Sequence, residues 1–316
     1  MEPLKSAKQS QLRQGDYMAA SPHPSAIASG KIAARVLSEI STEIEPGKRI
    51  IKICALAESK IKEYGGVPAF PLNISINHIA AHSTSPKGDR SEIPEFGLVK
   101  LDVGVHVDGY IADTARTIDI DGTLEGFVAA TDDALSEAID LMLPGTQLGD
   151  VGQTIENVIN EYGLKSVKNL SGHNLKKYRL HAGKIVPNVK KRGIGSVEVG
   201  EYYAIEPFAT SGTGTVIDSE YVYIFANTGI DEPLDGTTEK LRKYLRDMYG
   251  PLPFASRWIG TASKDIDVVE EIKALLKAKA LRGFPMQIEK KGRPVSQTEH
   301  TVFISEDGPI VLTQMN

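Results

Sequence analysis

Apolar residues fall at helical spacing from Ile32 through Val36, Leu37 and Ile40, one face of a helix that Pro46-Gly47 ends. A second helix reads from about Ile50 to Tyr64 and stops at Gly65-Gly66. The period then changes. Residues 99–118 place β-branched and apolar residues on both sides of Asp108-Gly109, a strong two-residue turn signal, and predict a β-hairpin. Folding about that turn sets Val107 opposite Tyr110, Val105 opposite Ala112 and Gly104 opposite Asp113. Asp102 lies two residues before Gly104 and so shares a face with Asp113. As diagonal neighbours their Cα atoms are about 7–8 Å apart.

The helical pattern then repeats. Pro46-Gly47, Glu58, Ile61 and Glu63-Tyr64-Gly65 recur as Pro144-Gly145, Glu156, Ile159 and Glu161-Tyr162-Gly163, at an offset of 98 residues (46 to 144). A helix over Phe127 to Leu141 precedes the second copy, as one does the first. His82 and His181 follow, 99 apart, and each half then turns to strands, with 202–207 in the second. Two copies are too few for a solenoid. They predict an α+β domain of two pseudo-symmetric halves, its helices covering a mostly antiparallel sheet.

Two stretches break the pattern. Between Ala209 and about Gly283 it turns helical and charged, with amphipathic helices over Thr238 to Tyr249 and Lys264 to Leu281. This is an inserted helical subdomain at about 210–283. Strands follow over Val295 to Ile304, which carries Glu299, and Ile310 to Thr313, about a turn at Asp307-Gly308. Residues 1–24, rich in Gln, Ser, Pro and Ala, read as a flexible tail, with His23 as a linker residue and the domain proper spanning 25–316.

Composition narrows the class. The 316 residues are 41% hydrophobic and 24% charged, as in an ordinary globular protein, with enough chain for a sizeable core. The net charge of −5 argues against intrinsic nucleic-acid binding. Cys54 is the single cysteine, so no disulfide forms within the chain, and its helical setting predicts a packed thiol. The first residues lack the apolar run of a leader, and no stretch approaches the roughly 20 apolar residues of a membrane span. A cytoplasmic monomer with no membrane association is the expectation.

The chemistry lies in Asp102, Asp113, His173, Glu206 and Glu299. Two like charges among Leu101, Val103 and Ile111 are costly unless one takes a proton or a cation sits between them. The pair reads either as turn caps at a sheet edge or as metal-binding or acid/base carboxylates. Glu206 in its apolar strand and Glu299 read as strand-end ion pairs or as further ligands. His173 reads as a turn histidine or as the nitrogen ligand. Together, four carboxylates and one imidazole can hold two divalent cations, and an oxygen-rich set with one nitrogen suits Mn, Fe(II), Co or Zn.

At these residues the chain resembles the type 2 methionine aminopeptidases, in the short form typical of archaea, from about Ser25 to its end. The resemblance rests on Ala69-Phe70-Pro71-Leu72-Asn73, Ala80-Ala81-His82, Lys100-Leu101-Asp102-Val103-Gly104, Asp108-Gly109-Tyr110-Ile111-Ala112-Asp113, Gly172-His173, Leu180-His181-Ala182-Gly183-Lys184, Ile205-Glu206-Pro207 and Glu299-His300-Thr301. Leu252-Pro253-Phe254 and Arg257-Trp258 resemble the winged-helix-like insert that marks type 2. Ser83-Thr84-Ser85-Pro86 and Arg116 depart from the family's usual residues.

The resemblance implies the pita-bread fold and a dinuclear metal site with Asp102, Asp113, His173, Glu206 and Glu299 as the five ligands. It implies removal of the initiator methionine from nascent chains near the ribosome, with a small second residue preferred. A hydroxide bridging two metals would attack the scissile carbonyl, with Glu206 as general base. His82 and His181 would contact the substrate, and Phe70 and Leu180 would line the methionine pocket. The rivals are an Xaa-Pro dipeptidase or aminopeptidase on the same fold and a metal-free pita-bread binding protein.

Overall fold

The computed structural model describes residues 21–259 and 268–315. Helix α1 (Pro24–Ser41) begins at a proline whose missing N–H costs nothing in a first turn. His23 caps it: its Nδ1 accepts from the Ser25 N–H at 3.1 Å, and its ring stacks on Tyr110 at 4.0 Å. His23 and Pro24, expected in the tail, therefore pack on the domain. Residues 1–20 of the tail lie outside the described residues.

Helix α2 (Ile50–Glu63) follows, then strands β1 (Val67–Pro68), β2 (Asn73–Ile76) and β3 (Ile79–Ala81). The hairpin comprises β4 (Leu98–Val107) and β5 (Tyr110–Asp119) in the expected register, Gly104 opposite Asp113 and Val107 opposite Tyr110. Asp108 and Gly109 have φ of 50° and 85°, the two left-handed residues that a tight hairpin turn demands. Helices α3 (Glu125–Asp140) and α4 (Leu148–Glu161) open the second half, followed by strands β6 (Lys165–Ser166), β7 (Ser171–Leu175), β8 (Ile185–Pro187), β9 (Tyr202–Ile205) and β10 (Phe208–Thr210).

The halves match in detail. Helices α2 and α4 begin and end at the same 98-residue offset (50 to 148, 63 to 161). The Gly47 N–H donates to Ile93 O and the Gly145 N–H to Val197 O, each at 2.9 Å. Each half has its own core: Leu37, Ile53 and Leu101 in one, Leu135, Val151 and Val302 in the other.

The expected helical insert opens instead with a long strand, β11 (Val216–Asn227). It is followed by α5 (Gly236–Tyr249), β12 (Phe254–Ala255), a 3-10 turn over Ser256–Ile259, α6 (Val268–Lys277) and β13 (Leu281–Glu289). The start expected for the second insert helix, Lys264, lies outside the described residues. Strands β11 and β13 pair with each other, and β13 with β3, so a sheet ties the insert to the first half. The physical reason for the misreading is a register shift between Asp218 and Val222, which interrupts the alternation with Ser219, Glu220 and Tyr221.

The chain ends with β14 (Val295–Gln297), β15 (His300–Ser305) and β16 (Gly308–Val311). The expected strand 295–304 is thus broken at Thr298-Glu299. The final turn is Glu306-Asp307, with Ser305 paired to Gly308. Strand order in the second-half sheet is β16-β15-β9-β7-β8, with Ile205 opposite His300.

Candidate metal centre and substrate cavity

The carboxylates come in two matched pairs. In the first half the β4–β5 hairpin holds Asp102 and Asp113 on one face. In the second, β9 and β15 are joined by the insert instead of a turn. Glu206 follows Ile205 and Glu299 precedes His300, a directly paired couple, so the two glutamates lie side by side past the end of that ladder. His173 enters from β7, whose Cα partner in β9 is Ala204. It sits inside a strand, not in the turn considered for it.

The seam between the halves is made of threonines. Thr301 Oγ1 accepts from the Asp113 N–H at 2.7 Å and donates to Asp113 O at 2.8 Å. Thr114 Oγ1 donates to Glu299 O at 2.8 Å, and Thr117 Oγ1 to Gln297 O at 2.7 Å. Each bond satisfies a buried backbone group at the sheet margin, and those to Asp113 and Glu299 fix carboxylate-bearing residues.

All five candidate ligands line one cavity, together with His82, His181, Phe70 and Leu180. Asp113, His173 and Glu299 can each present a ligand atom within 4.8 Å of the others. His173 Nε2 stands 3.7 Å from Asp113 Oδ2 and 3.8 Å from Glu206 Oε1, too far for hydrogen bonds. Asp102 Oδ1 and Asp113 Oδ1 are buried with no partner.

Burial pushes the Asp102 carboxyl up to about 7. Asp113 is raised well above the ordinary range by burial, then by the charges of Asp102 and Glu206. Glu206 is raised by burial and by Asp102, and Glu299 by burial and by Asp113. Burial, then His181, holds His173 well below the usual imidazole range. Four crowded carboxylates resisting ionisation beside a neutral imidazole are relieved by protons or by bound cations. Divalent cations fit this donor set of oxygens and one nitrogen. Among the described residues no Lys or Arg pairs with these four carboxylates, which speaks against the strand-end ion-pair reading.

The surroundings shape a substrate cleft. A Cβ on Gly104 would come within 2.2 Å of the Phe70 ring, so only glycine lets Phe70 lie on the hairpin face that bears the aspartates. Phe70 and Leu180 share an apolar cluster with Leu252 of the insert, and Pro253, Ile224 and Phe284 complete the cavity wall. His82 has φ of 59°. Its Nδ1 lies 3.3 Å from Pro285 O, a pure acceptor, so Nδ1 carries the proton and Nε2 a lone pair. His181 lies 4.2 Å from His173 between ring centres. Burial, then Arg282 and His82, pushes it down to about 4, and burial lowers His82 also.

Sequence reasoning gave no site role to several contributors. Gln297 Nε2 donates to Glu206 Oε2 at 3.2 Å, and its place two residues before Glu299 was a usable signal. Asn73, the last residue of a motif quoted above, and Ile224 and Phe284 also line the cavity; nothing local in the sequence marks the latter two.

Fold and site together define a metal-dependent peptidase. The model of metallopeptidase family M24 matches residues 26–232. The chain is 40% identical over 291 residues to a methionine aminopeptidase of Saccharolobus solfataricus, covering 91% of this chain and 96% of that one. It is equally similar, at 40% over 291 residues, to a methionine aminopeptidase of Methanocaldococcus jannaschii, covering 91% and 97%. The chain belongs to family M24 and, within it, to the methionine aminopeptidases of type 2. The solved structure of a thermophilic Arx1 superposes with a TM-score of 0.80 at 20% identity, over 92% of this chain and 90% of that one. At that identity the likeness shows the fold alone.

Proposed function

We propose that this chain removes the N-terminal methionine of nascent polypeptides, with two divalent ions held by Asp102, Asp113, His173, Glu206 and Glu299. The observation that carries the reading is one cavity that joins those five side chains to two non-ligand histidines and an apolar wall. Bound there, ions of Co, Mn, Fe(II) or Zn would supply Lewis acidity at the scissile carbonyl and water made acidic enough to react near neutral pH.

The protein's own groups do the rest. Phe70 and Leu180 receive the methionine side chain. Glu206 takes the proton of the attacking water, since a carboxylate beside that water is within proton reach. His82 lines the cleft, and its Nε2 accepts from a substrate N–H. His181, neutral at working pH, hydrogen-bonds near the scissile carbonyl and steadies the developing charge. The crowding of these groups favours a small second residue. The protein works as a monomer near the ribosome.

The test is cleavage of Met-Ala-Ser against Met-Pro and Ala-Pro peptides with each metal added in turn. Met-Ala-Ser should be cut and Ala-Pro spared. An Ala-Pro preference would favour the dipeptidase. Asp113→Asn should lower bound metal by elemental analysis and abolish most activity; unchanged metal content with full activity would remove Asp113 from the ligand set.

A further inference from the structure

The rim of the cleft carries a positioned cation that the reaction does not use. Phe284 lines the cavity, its ring edge-on to His82 with centres 5.5 Å apart. Arg282 lies two residues earlier on β13 and so shares its face. Its guanidinium carbon sits over the Phe284 ring, 4.7 Å from the centre. Arg282 is exposed while Phe284 is half-buried, so the guanidinium stands on the solvent side of the wall. Its charge is felt inside, where it helps hold His181 and His82 unprotonated.

Among the described residues no carboxylate lies within ion-pair distance of Arg282. In the insert, Arg242, Arg246 and Arg257 each have one. Stacking on an aromatic face orients a guanidinium without neutralising it. The acidic group in reach of His82 is Asp218. It pairs with Gln287, five residues along β13 from Arg282, or about 17 Å at strand rise.

We propose that Arg282 is a specificity residue that selects substrates with an acidic side chain a few residues beyond the cleaved methionine. The proposal rests on the aminopeptidase reading of the site. On this proposal the emerging peptide leaves the centre past this wall. Each extended residue advances it about 3.3–3.6 Å, so the third or fourth residue reaches the exposed rim.

The test uses metal-loaded full-length protein and hexapeptide amides, Met-Ala-Xaa-Ser-Gly-Ser and Met-Ala-Ser-Xaa-Gly-Ser, with Xaa as Glu, Gln or Lys. Amidation removes the terminal carboxylate, the other possible anion. At one of the two positions, kcat/KM should fall from Glu to Gln to Lys, by about two- to fivefold per step, mainly through KM. The spread should shrink at high salt. Arg282→Gln should level the series and Arg282→Glu should invert it. Equal rates for all three peptides, or a preference that persists in Arg282→Gln, would overturn the proposal while leaving the aminopeptidase intact. No cleavage even of the Gln peptides would overturn the reading of the site, and this proposal with it.

Discussion

One hydroxyl, Thr301 Oγ1, satisfies both backbone groups of Asp113, accepting from its N–H at 2.7 Å and donating to its carbonyl at 2.8 Å. Thr301 belongs to the second half and Asp113 to the first, so this contact closes the two halves over the carboxylates.

Thr301→Val keeps the shape and removes both bonds. Two buried backbone groups lose their partners, at about 1–3 kcal/mol each. Denaturant unfolding should show a loss of about 2–6 kcal/mol. Because Asp113 is then free to shift, metal affinity should fall as well, read by titration into stripped protein. Unchanged affinity alongside a large stability loss would mean that the seam does not hold the ligand in place.

How much of this was legible follows from where each signal resides. The hairpin register was readable because Asp108-Gly109 fixes the turn and the alternation fixes the faces. The 98-residue repeat was readable because equal helices need equal stops, and Pro-Gly and Tyr-Gly recur at both ends. The start of β11 was not, because Ser219 to Tyr221 leave the ladder and the charges of Asp218 and Glu220 mimic a solvated helix face. His23 was misplaced because its worth lies in Ser25 and Tyr110, and the Tyr110 contact is tertiary. Phe284 and Pro253 become site residues only when the insert folds back, a relation across long stretches of chain.

That docking rests on Glu58 of α2. Its carboxylate takes an ion pair from Arg257 and a 2.8 Å hydrogen bond from Trp258 Nε1, while Arg257 also donates to Thr84 Oγ1 and Ser85 O. Arg257 and Glu58 side chains are 9% and 12% exposed, so either left alone is a nearly buried charge. Glu58→Ala should cost roughly 3–5 kcal/mol. Since Leu252 and Pro253 hang from the same segment, KM for methionyl peptides should rise more than kcat falls. The double variant with Arg257→Ala should be less damaged than the sum of the two. Additive effects would mean that the two residues act apart.

Glu289 does not line the cavity of the candidate ligands and offers a separate pH test. Burial raises its carboxyl, but bonds from Thr213 Oγ1 and the backbone N–H groups of Thr213, Arg293 and Lys291 outweigh it and bring it to about 2, against 4.5 unperturbed. A folded-state value below the unfolded one gives stability that is full above 4.5 and lost as pH falls toward 2. The magnitude is about 3 kcal/mol. Glu289→Gln should therefore be destabilised by about that much at pH 7 and by little near pH 2, measured by urea midpoints. An equal difference at both pH values would show that packing, not charge, sets its contribution.

The two histidines separate metal binding from catalysis. His82 sits at φ of 59°, a left-handed backbone that asparagine tolerates better than most residues, so His82→Asn changes the ring with little added strain. In the native protein Nδ1–H points to Pro285 O at 3.3 Å, which leaves Nε2 as the acceptor. His82 reaches the cavity without completing the set of four carboxylates and His173. His82→Asn should therefore bind as much metal as the native protein, by elemental analysis. It should lose about 10²–10⁴-fold in kcat, the usual worth of a positioned acid–base group. Loss of metal in this variant would make His82 a ligand. Full activity would leave the substrate contact to His181 alone.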